Sequence, residues 1–304
     1  MVCSLTNSKI NNPNNTISGN LGTAILTSLI RNPPTNPLTN SPIFTNVIAC
    51  VRSAASENRL KQSLPKSPHI STTTTTDTPP LSAVRSSSVI ILAIDPADIQ
   101  KTLTQPDLAD ALSNKLLISV AAGWTHDQLA KTLSPHTARI IRTLPNIAAQ
   151  VSESLTAIED TPSSTATPAD RSLTDAIFAG IGRTVHVKPA HMDAITAVGG
   201  STPAFFAVIC DAMIDAAVAV GLPREVAQIA VFQAMKGSAA MMQSGVLPAA
   251  LRDQGTSPEG CTIAGVMVLE EKGVRGGVGR AVREAVSVAR LMGDGGHVND
   301  TRRE

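Results

Sequence analysis

The sequence has no tyrosine, one tryptophan and five phenylalanines. Stacking platforms for unpaired bases need exposed aromatic rings, so a single-stranded nucleic-acid surface is excluded. Charge of one sign is lacking too: 25 basic against 24 acidic residues leave a formal net charge of +1. Without clustered positive charge there is no electrostatic footprint for a phosphate backbone. Cysteine is sparse. Cys3, Cys50, Cys210 and Cys261 stand too far apart for a metal pair and show no framework spacing. They read as free thiols in a reducing compartment. The opening MVCSLTNSKINNPNNT has neither the apolar run of a signal peptide nor the Arg-rich face of a transit peptide. The most apolar window, Pro203 to Leu222, carries Asp211 and Asp215 on one helix face. Two carboxylates argue for a buried or interfacial helix and against a membrane span. The expectation is a cytoplasmic protein without nucleic-acid or membrane partners, long enough for one large or two modest domains.

With few aromatics, Ala, Val, Ile and Leu must build the core. Ser18 to Ile30, SGNLGTAILTSLI, reads as a glycine turn entering an apolar helix. Gly19, Asn20, Leu21 and Gly22 fit the last four positions of G-x-G-x-x-G, with Ile17 where the first glycine belongs. Such a turn should follow a buried strand, yet Asn11, Asn12, Pro13, Asn14 and Asn15 are loop formers. The first strand is therefore expected to be degenerate or missing. The favoured explanation is a mis-assigned start or a splice product, which sequencing the transcript tests. Phe44 to Val51 reads as the second strand, ending at Arg52 and Ser53. An acidic residue there favours NAD, whereas an Arg accommodates the 2′-phosphate of NADP; the alternative is a solvated Arg at a strand end. Pro65 to Ser88, with its STTTTTDTPP, reads as an exposed inserted loop.

Val89 to Ile94 is a short apolar run of the kind found in a central parallel strand. Lys115 to Gly123 is a second buried strand, ending in the small residues Ala121, Ala122 and Gly123 that permit close approach to a flat ligand. A short helix begins at Asp127, and Arg139 to Asn146 is a further strand with its end. Asn146, beside Pro145, favours an Asx turn on local grounds. Glu159 to Asp170 reads as a polar loop, Leu173 to Gly180 as a helix and Thr184 to Val187 as a last strand. Strands alternating with helices imply a parallel, doubly wound sheet. His186 and His191 have no carboxylate or cysteine partner at ligand spacing, so they read as surface or hinge residues and no metal is assigned.

Near Ala190 the pattern becomes helical and stays so to Arg290. Gly221 and Pro223 mark a helix stop and restart. The Ala/Met-rich face of Val226 to Met242 is either internal core or a helix–helix interface. Arg275 to Arg280, RGGVGR, has the look of a phosphate loop, but no strand precedes it. The domains implied are residues 1–189, a dinucleotide-binding unit, and 190–304, an all-α unit. Leu251 to Gly265, LRDQGTSPEGCTIAG, reads as a polar loop entering an apolar helix. The first amides of such a helix lack intrahelical partners and carry the positive end of its dipole, which suits a small carboxylate. An ordinary capping turn is the plainer alternative.

That segment resembles the C-terminal motif of Δ1-pyrroline-5-carboxylate reductases, LRDxVTSPGGTTIAG. Ala194 to Phe205, AITAVGGSTPAF, is similar to the family's A-x-T-A-x-S-G-S-G-P-A-Y/F, and DAAVAVGLPREVAQIAVFQAMKGSAAMM to the two helices between. The resemblance covers roughly Ala190 to Gly293. It implies a Rossmann-like domain followed by a helical substrate-binding and dimerisation domain, hence a homodimer or higher homo-oligomer through shared C-terminal helices. It implies reduction of the cyclic imine 1-pyrroline-5-carboxylate to L-proline in proline biosynthesis, with NADPH as donor and NADH as the alternative. Ser257, Gly260, Cys261 and Thr262 would hold carboxylate and ring, with Thr262 near the ring nitrogen, while Ser201 and Pro203 line the pocket. Cofactor contacts would come from Gly19, Asn20, Leu21, Arg52, Ser53, Ala93, Ile94, Pro96, Ala121, Ala122, Gly123 and Asn146. The chain departs from the pattern at Asp95, where the family has lysine, at Glu259, a family glycine, at Gly199, a family serine, and at Thr202. Those departures leave two other expectations open: a same-fold reductase of another cyclic imine, and a cofactor-deficient assembly partner.

Overall fold

The computed structural model describes residues 2–6, 20–35, 42–44, 46–51, 53–64, 71–76, 80–162 and 164–292. Gly19 and Arg52, two of the expected cofactor contacts, lie outside the described residues. The chain divides into two compact units, residues 1–200 with 286–304, and residues 201–285.

The first unit is built on one sheet. Its strands are β1 (Val2–Thr6), β2 (Asn46–Val51), β3 (Ser71–Thr75), β4 (Val89–Ala93), β5 (Leu116–Ser119), β6 (Arg139–Leu144), β7 (Ser154–Glu159) and β8 (Gly182–Val187). They lie in the order β3-β2-β1-β4-β5-β6-β7-β8. All neighbours are parallel except β6 and β7, which run antiparallel. The first six follow the order of the doubly wound dinucleotide fold, whose topological switch falls between β1 and β4.

The helices are α1 (Asn20–Arg31), α2 (Ala54–Ser63), α3 (Leu81–Ser86), α4 (Pro96–Leu103), α5 (Leu108–Ala111), α6 (His126–Leu133), α7 (Pro168–Ala179) and α8 (Met192–Ile195). Side chains alternate across a strand, so both faces of β4 are sealed. Val89 and Ile91 join the core under α1 and α7 with Ile25, Leu29 and Phe178. Ile90 and Leu92 join the opposite core with Ile99, Leu108 and Leu129. A parallel strand buried on both faces needs an unbroken apolar run, which VIILA supplies.

Three expectations are overturned here. The first strand is present: Val2–Thr6 occupies the middle of the sheet, with Thr6 paired to Val51 on one side and Ala93 on the other. The sequence hid it because the glycine turn does not follow at once; residues 7–19 intervene. Second, the threonine tract is not a loop. Ser71–Thr75 forms the edge strand and Leu81–Ser86 a helix. Threonine is β-branched and suits a strand with solvent on one side, and Thr74 Oγ1 donates to Glu57 Oε1 on α2 at 2.6 Å. Third, β7 lies where no strand was expected, and Glu159, taken as the start of a polar loop, is a buried strand residue paired with Arg142.

The second unit is helical. It comprises α9 (Thr202–Ala219), α10 (Arg224–Gln243), α11 (Pro248–Gln254), α12 (Cys261–Glu271) and the first part of α13 (Val274–Leu291). The glycines of RGGVGR stay within α13, so that segment is no phosphate loop. Among the described residues of 201–285, only Cys210, Ile214 and Ala227 are fully buried.

Candidate functional site

In an open parallel sheet, ligands meet the carboxyl ends of the strands at the switch point. The chain brings together there the start of α1 and the ends of β4 and β5. Helix α1 begins at Asn20, and Leu21 packs half-buried against the core. Ala93 ends β4, and Ile94, Asp95 and Pro96 lead into α4. Asp95 is committed: its Oδ1 accepts the amide of Ala97 at 2.9 Å, capping α4, and the side chain is exposed. The carboxylate in the family's lysine position therefore serves its own helix start, where negative charge is favoured. After β5 come buried Ala121, half-buried Ala122 and Gly123. Gly123 has φ +78°, and a Cβ there would stand 3.0 Å from Cβ of Met292, so no side chain is tolerated.

Ser53 is the N-cap of α2, its hydroxyl accepting the amide of Ser56 at 3.2 Å. Two further side chains join it. Ser56 Oγ lies 3.1 Å from Ser53 Oγ and accepts from Arg59 Nη2 at 3.3 Å. Two hydroxyls, a guanidinium and a helix start make an exposed donor set suited to a phosphate monoester. The S-x-x-S-x-x-R spacing after the second strand was its signal. This donor set fits the phosphate of a dinucleotide laid along the strand ends.

Asn146 is tied down by three bonds. Its amide donates to Ser154 Oγ at 2.9 Å, Oδ1 accepts from the amide of Ala148 at 3.0 Å, and Nδ2 donates to the carbonyl of Gly199 at 2.7 Å. The Asx turn expected on local grounds is thus formed, opening the 3-10 helix Ile147–Val151. The bond to Gly199 spans 53 residues and was not legible in the sequence.

In the second unit, the loop after α11 and the start of α12 form one tight turn. Gly260 precedes α12 and no side chain caps the helix. The first-turn amides of Cys261, Thr262 and Ile263 are thus left to water or ligand. Ser257 closes the turn through its carbonyl, which accepts from the Gly260 amide at 3.0 Å. A Cβ at residue 260 would stand 2.5 Å from Ser257 Oγ and 3.1 Å from the Ser257 carbonyl oxygen, so the glycine lets Ser257 keep this side-chain position over the backbone. Ser257, Cys261 and Thr262 are exposed. Glu259 has φ +59°, a left-handed conformation, which explains in physical terms why a glycine suits this position. Ser201 closes a π-helical turn, Thr196–Ser201, and its hydroxyl makes no capping bond to α9. Among the described residues no cluster of three His, Cys, Asp or Glu side chains could hold a metal.

Comparison with known proteins converges on one family. Residues 189–292 match the family model described as pyrroline-5-carboxylate reductase dimerisation. Residues 18–123 match the one described as NADP oxidoreductase, coenzyme F420-dependent. A pyrroline-5-carboxylate reductase of Lophium arboricola is 43% identical over 274 residues, covering 87% of this chain and 85% of the relative. Among solved structures, a pyrroline-5-carboxylate reductase from Coxiella burnetii superposes with TM-score 0.76 at 25% identity, covering 96% of this chain and 97% of the other. The Plasmodium falciparum pyrroline carboxylate reductase with NADP bound gives TM-score 0.74 at 23% identity, with 96% and 97% covered, and so shares the fold. With a Rossmann-like sheet, a helical unit that contains the LRDQGTSPEGCTIAG turn, and identity of this extent along the chain, the protein belongs to the pyrroline-5-carboxylate reductase family of NAD(P)H-dependent oxidoreductases.

Proposed function

We propose that this chain reduces 1-pyrroline-5-carboxylate to L-proline with NADPH, in proline biosynthesis, in the cytoplasm. It acts as a homodimer or larger homo-oligomer, with residues 1–189 holding the dinucleotide and 190–304 the substrate and the partner subunit. The observation that carries the reading is the start of α12, a helix N-terminus with no side-chain cap whose preceding residue is kept bare beneath Ser257. The bound nicotinamide would supply hydride to the imine carbon. The protein's part is to hold and orient. The amides of Cys261 and Thr262, at the positive end of α12, receive the ring carboxylate, and the Ser257 hydroxyl adds a donor from above Gly260. The Thr262 hydroxyl faces the ring nitrogen and keeps its proton in place, and Ser201 and Pro203 line the pocket. An imine that enters protonated needs no strong general acid, so positioning supplies most of the rate.

For the dinucleotide, the amides at Asn20 and Leu21 suit the pyrophosphate, with Gly19 next to them in sequence as a further proposed contact. Ala93, Ile94 and Pro96 would offer backbone along the switch point, and Ala121, Ala122 and Gly123 a flat seat for the nicotinamide. Ser53, with Ser56 and Arg59 and with Arg52 beside them in sequence, would take the 2′-phosphate, which favours NADPH over NADH.

The test is direct. Purified protein with NADPH and 1-pyrroline-5-carboxylate yields proline by mass spectrometry, faster than the six-membered homologue is reduced, and NADPH binds at least about tenfold tighter than NADH by calorimetry. Thr262→Ala lowers turnover by at least about tenfold, roughly 1.4 kcal/mol of transition-state stabilisation, with NADPH affinity unchanged. No proline from the wild type overturns the function; full turnover in Thr262→Ala removes that hydroxyl from the mechanism.

A further inference from the structure

The helical run entering α9 contains a widened turn, and the sequence says why. In an α-helix the carbonyl of Gly199 would accept the amide of residue 203, but residue 203 is proline. Proline has no amide hydrogen, and its ring collides with the carbonyl four residues earlier. The chain answers with the π-helical turn Thr196–Ser201, of the kind that recurs at functional sites. The Gly199 carbonyl, without the amide that an α-turn would bring it from residue 203, accepts Nδ2 of Asn146 at 2.7 Å from elsewhere in the fold.

Asn146 is held rigidly for this. Its Oδ1 caps the 3-10 helix at Ala148, and its own amide is fixed by Ser154 at the start of β7. Ala197, two residues before Gly199, is buried, and Thr196 Oγ1 bonds the carbonyl of Met192 at 2.7 Å. The widened turn is therefore pinned from both sides, and Ser201 and Pro203 follow it directly in the chain.

We infer that Asn146 is a positioning residue for the imine site: its amide nitrogen replaces the donor that Pro203 lacks and fixes the π-turn that sets Ser201. This rests on the proposed substrate pocket and reassigns Asn146 from cofactor contact to the support of that pocket.

Asn146→Asp tests it. The variant keeps an oxygen for the Ala148 amide, so the local cap survives, and replaces the donor facing Gly199 with an acceptor. The expected result is a KM for 1-pyrroline-5-carboxylate raised about tenfold, with the calorimetric Kd for NADPH within about twofold of wild type. An unchanged KM overturns the inference. So does a loss confined to NADPH affinity, which would return Asn146 to the cofactor. A wild type that makes no proline defeats the proposed function instead, so the two failures are distinguishable. A stability cycle checks the origin of the bond without turnover. In Pro203→Ala, residue 203 regains an amide able to reach Gly199, so Asn146→Ala lowers the melting temperature less in that background than in wild type. Equal losses in the two backgrounds overturn the inference as well.

Discussion

At the residue scale, the departures from the family pattern fall into two kinds. Asp95 is absorbed by its surroundings, since it caps α4. Glu259 is not: it holds φ +59° on an exposed turn with a full side chain. An L-residue in this region costs on the order of 1–2 kcal/mol relative to glycine, partly offset by glycine's greater freedom in the unfolded chain. Glu259→Gly should therefore stabilise the protein by roughly 0.5–1 kcal/mol, read as a higher urea midpoint at constant slope. It should also lower KM for 1-pyrroline-5-carboxylate, because a negative charge leaves the turn proposed to receive the substrate carboxylate. A midpoint that falls would mean the glutamate side chain makes a contact that outweighs its backbone strain.

At the scale of elements, β7, β8 and α7 are clasped by one histidine. His186 on β8 sets Nδ1 3.0 Å from Asp160 Oδ1, beyond β7, and Nε2 2.9 Å from Asp175 Oδ2 on α7. Asp160 also takes Arg171 of α7 at 3.1 Å. The hydrogen bond to Asp160 is the main cause that raises the pKa of His186; burial opposes it, and Asp175 adds to the rise. A pKa raised in the folded state means a contribution fully present below the unfolded value, about 6.5, and lost as pH rises through the folded one. The groups are more than a third exposed, so solvent screening limits the contribution to a few tenths of a kcal/mol, on the order of other surface pairs. Melting temperature measured from about pH 5.5 to 8.5 should fall for wild type relative to His186→Gln as pH rises above about 6.5. Parallel curves would mean the clasp contributes nothing. His186, expected on the surface or at a hinge with no carboxylate partner nearby in sequence, has two in the fold; they were not legible because 26 and 11 residues separate it from Asp160 and Asp175. The same holds for the strands. VIILA announces itself because both faces are buried. STTTT offers no apolar period, and SLTAIE hides a buried glutamate whose partner Arg142 lies on another strand. The turn at Ser257–Thr262 could be read from its residues because its geometry is local; the support at Asn146 could not.

At the scale of the molecule, residues 201–285 form more helix than core. Phe206, Ile229, Phe232, Met267 and Leu269 are 52–71% exposed on α9, α10 and α12. The run Pro189–Ala219 is long and apolar enough to cross a membrane, with mean hydropathy 1.6 and 11% of its window buried. It lies within the residues that match the dimerisation model, and it carries Asp211 and Asp215, the latter paired with Arg224 at 2.8 Å. A second copy of the same helices would cover these faces. Fully burying an exposed apolar side chain of this size is worth about 1.5–3 kcal/mol; at these exposures, five per subunit give a gross gain on the order of 9–17 kcal/mol across a symmetric pair. Set against about 4–15 kcal/mol for lost translation and rotation, the balance favours association over most of that range. Sedimentation at micromolar concentration should therefore find no monomer, and the melting temperature should rise with protein concentration. Ile229→Asp combined with Met267→Asp places unpaired charges on two of these helices, which an interface accepts only at several kcal/mol each. The doubly substituted chain should sediment as a monomer, with a lower melting temperature that no longer depends on concentration. A wild type that sediments as a monomer across the whole range would instead leave these helices exposed in solution and remove the case for a shared core.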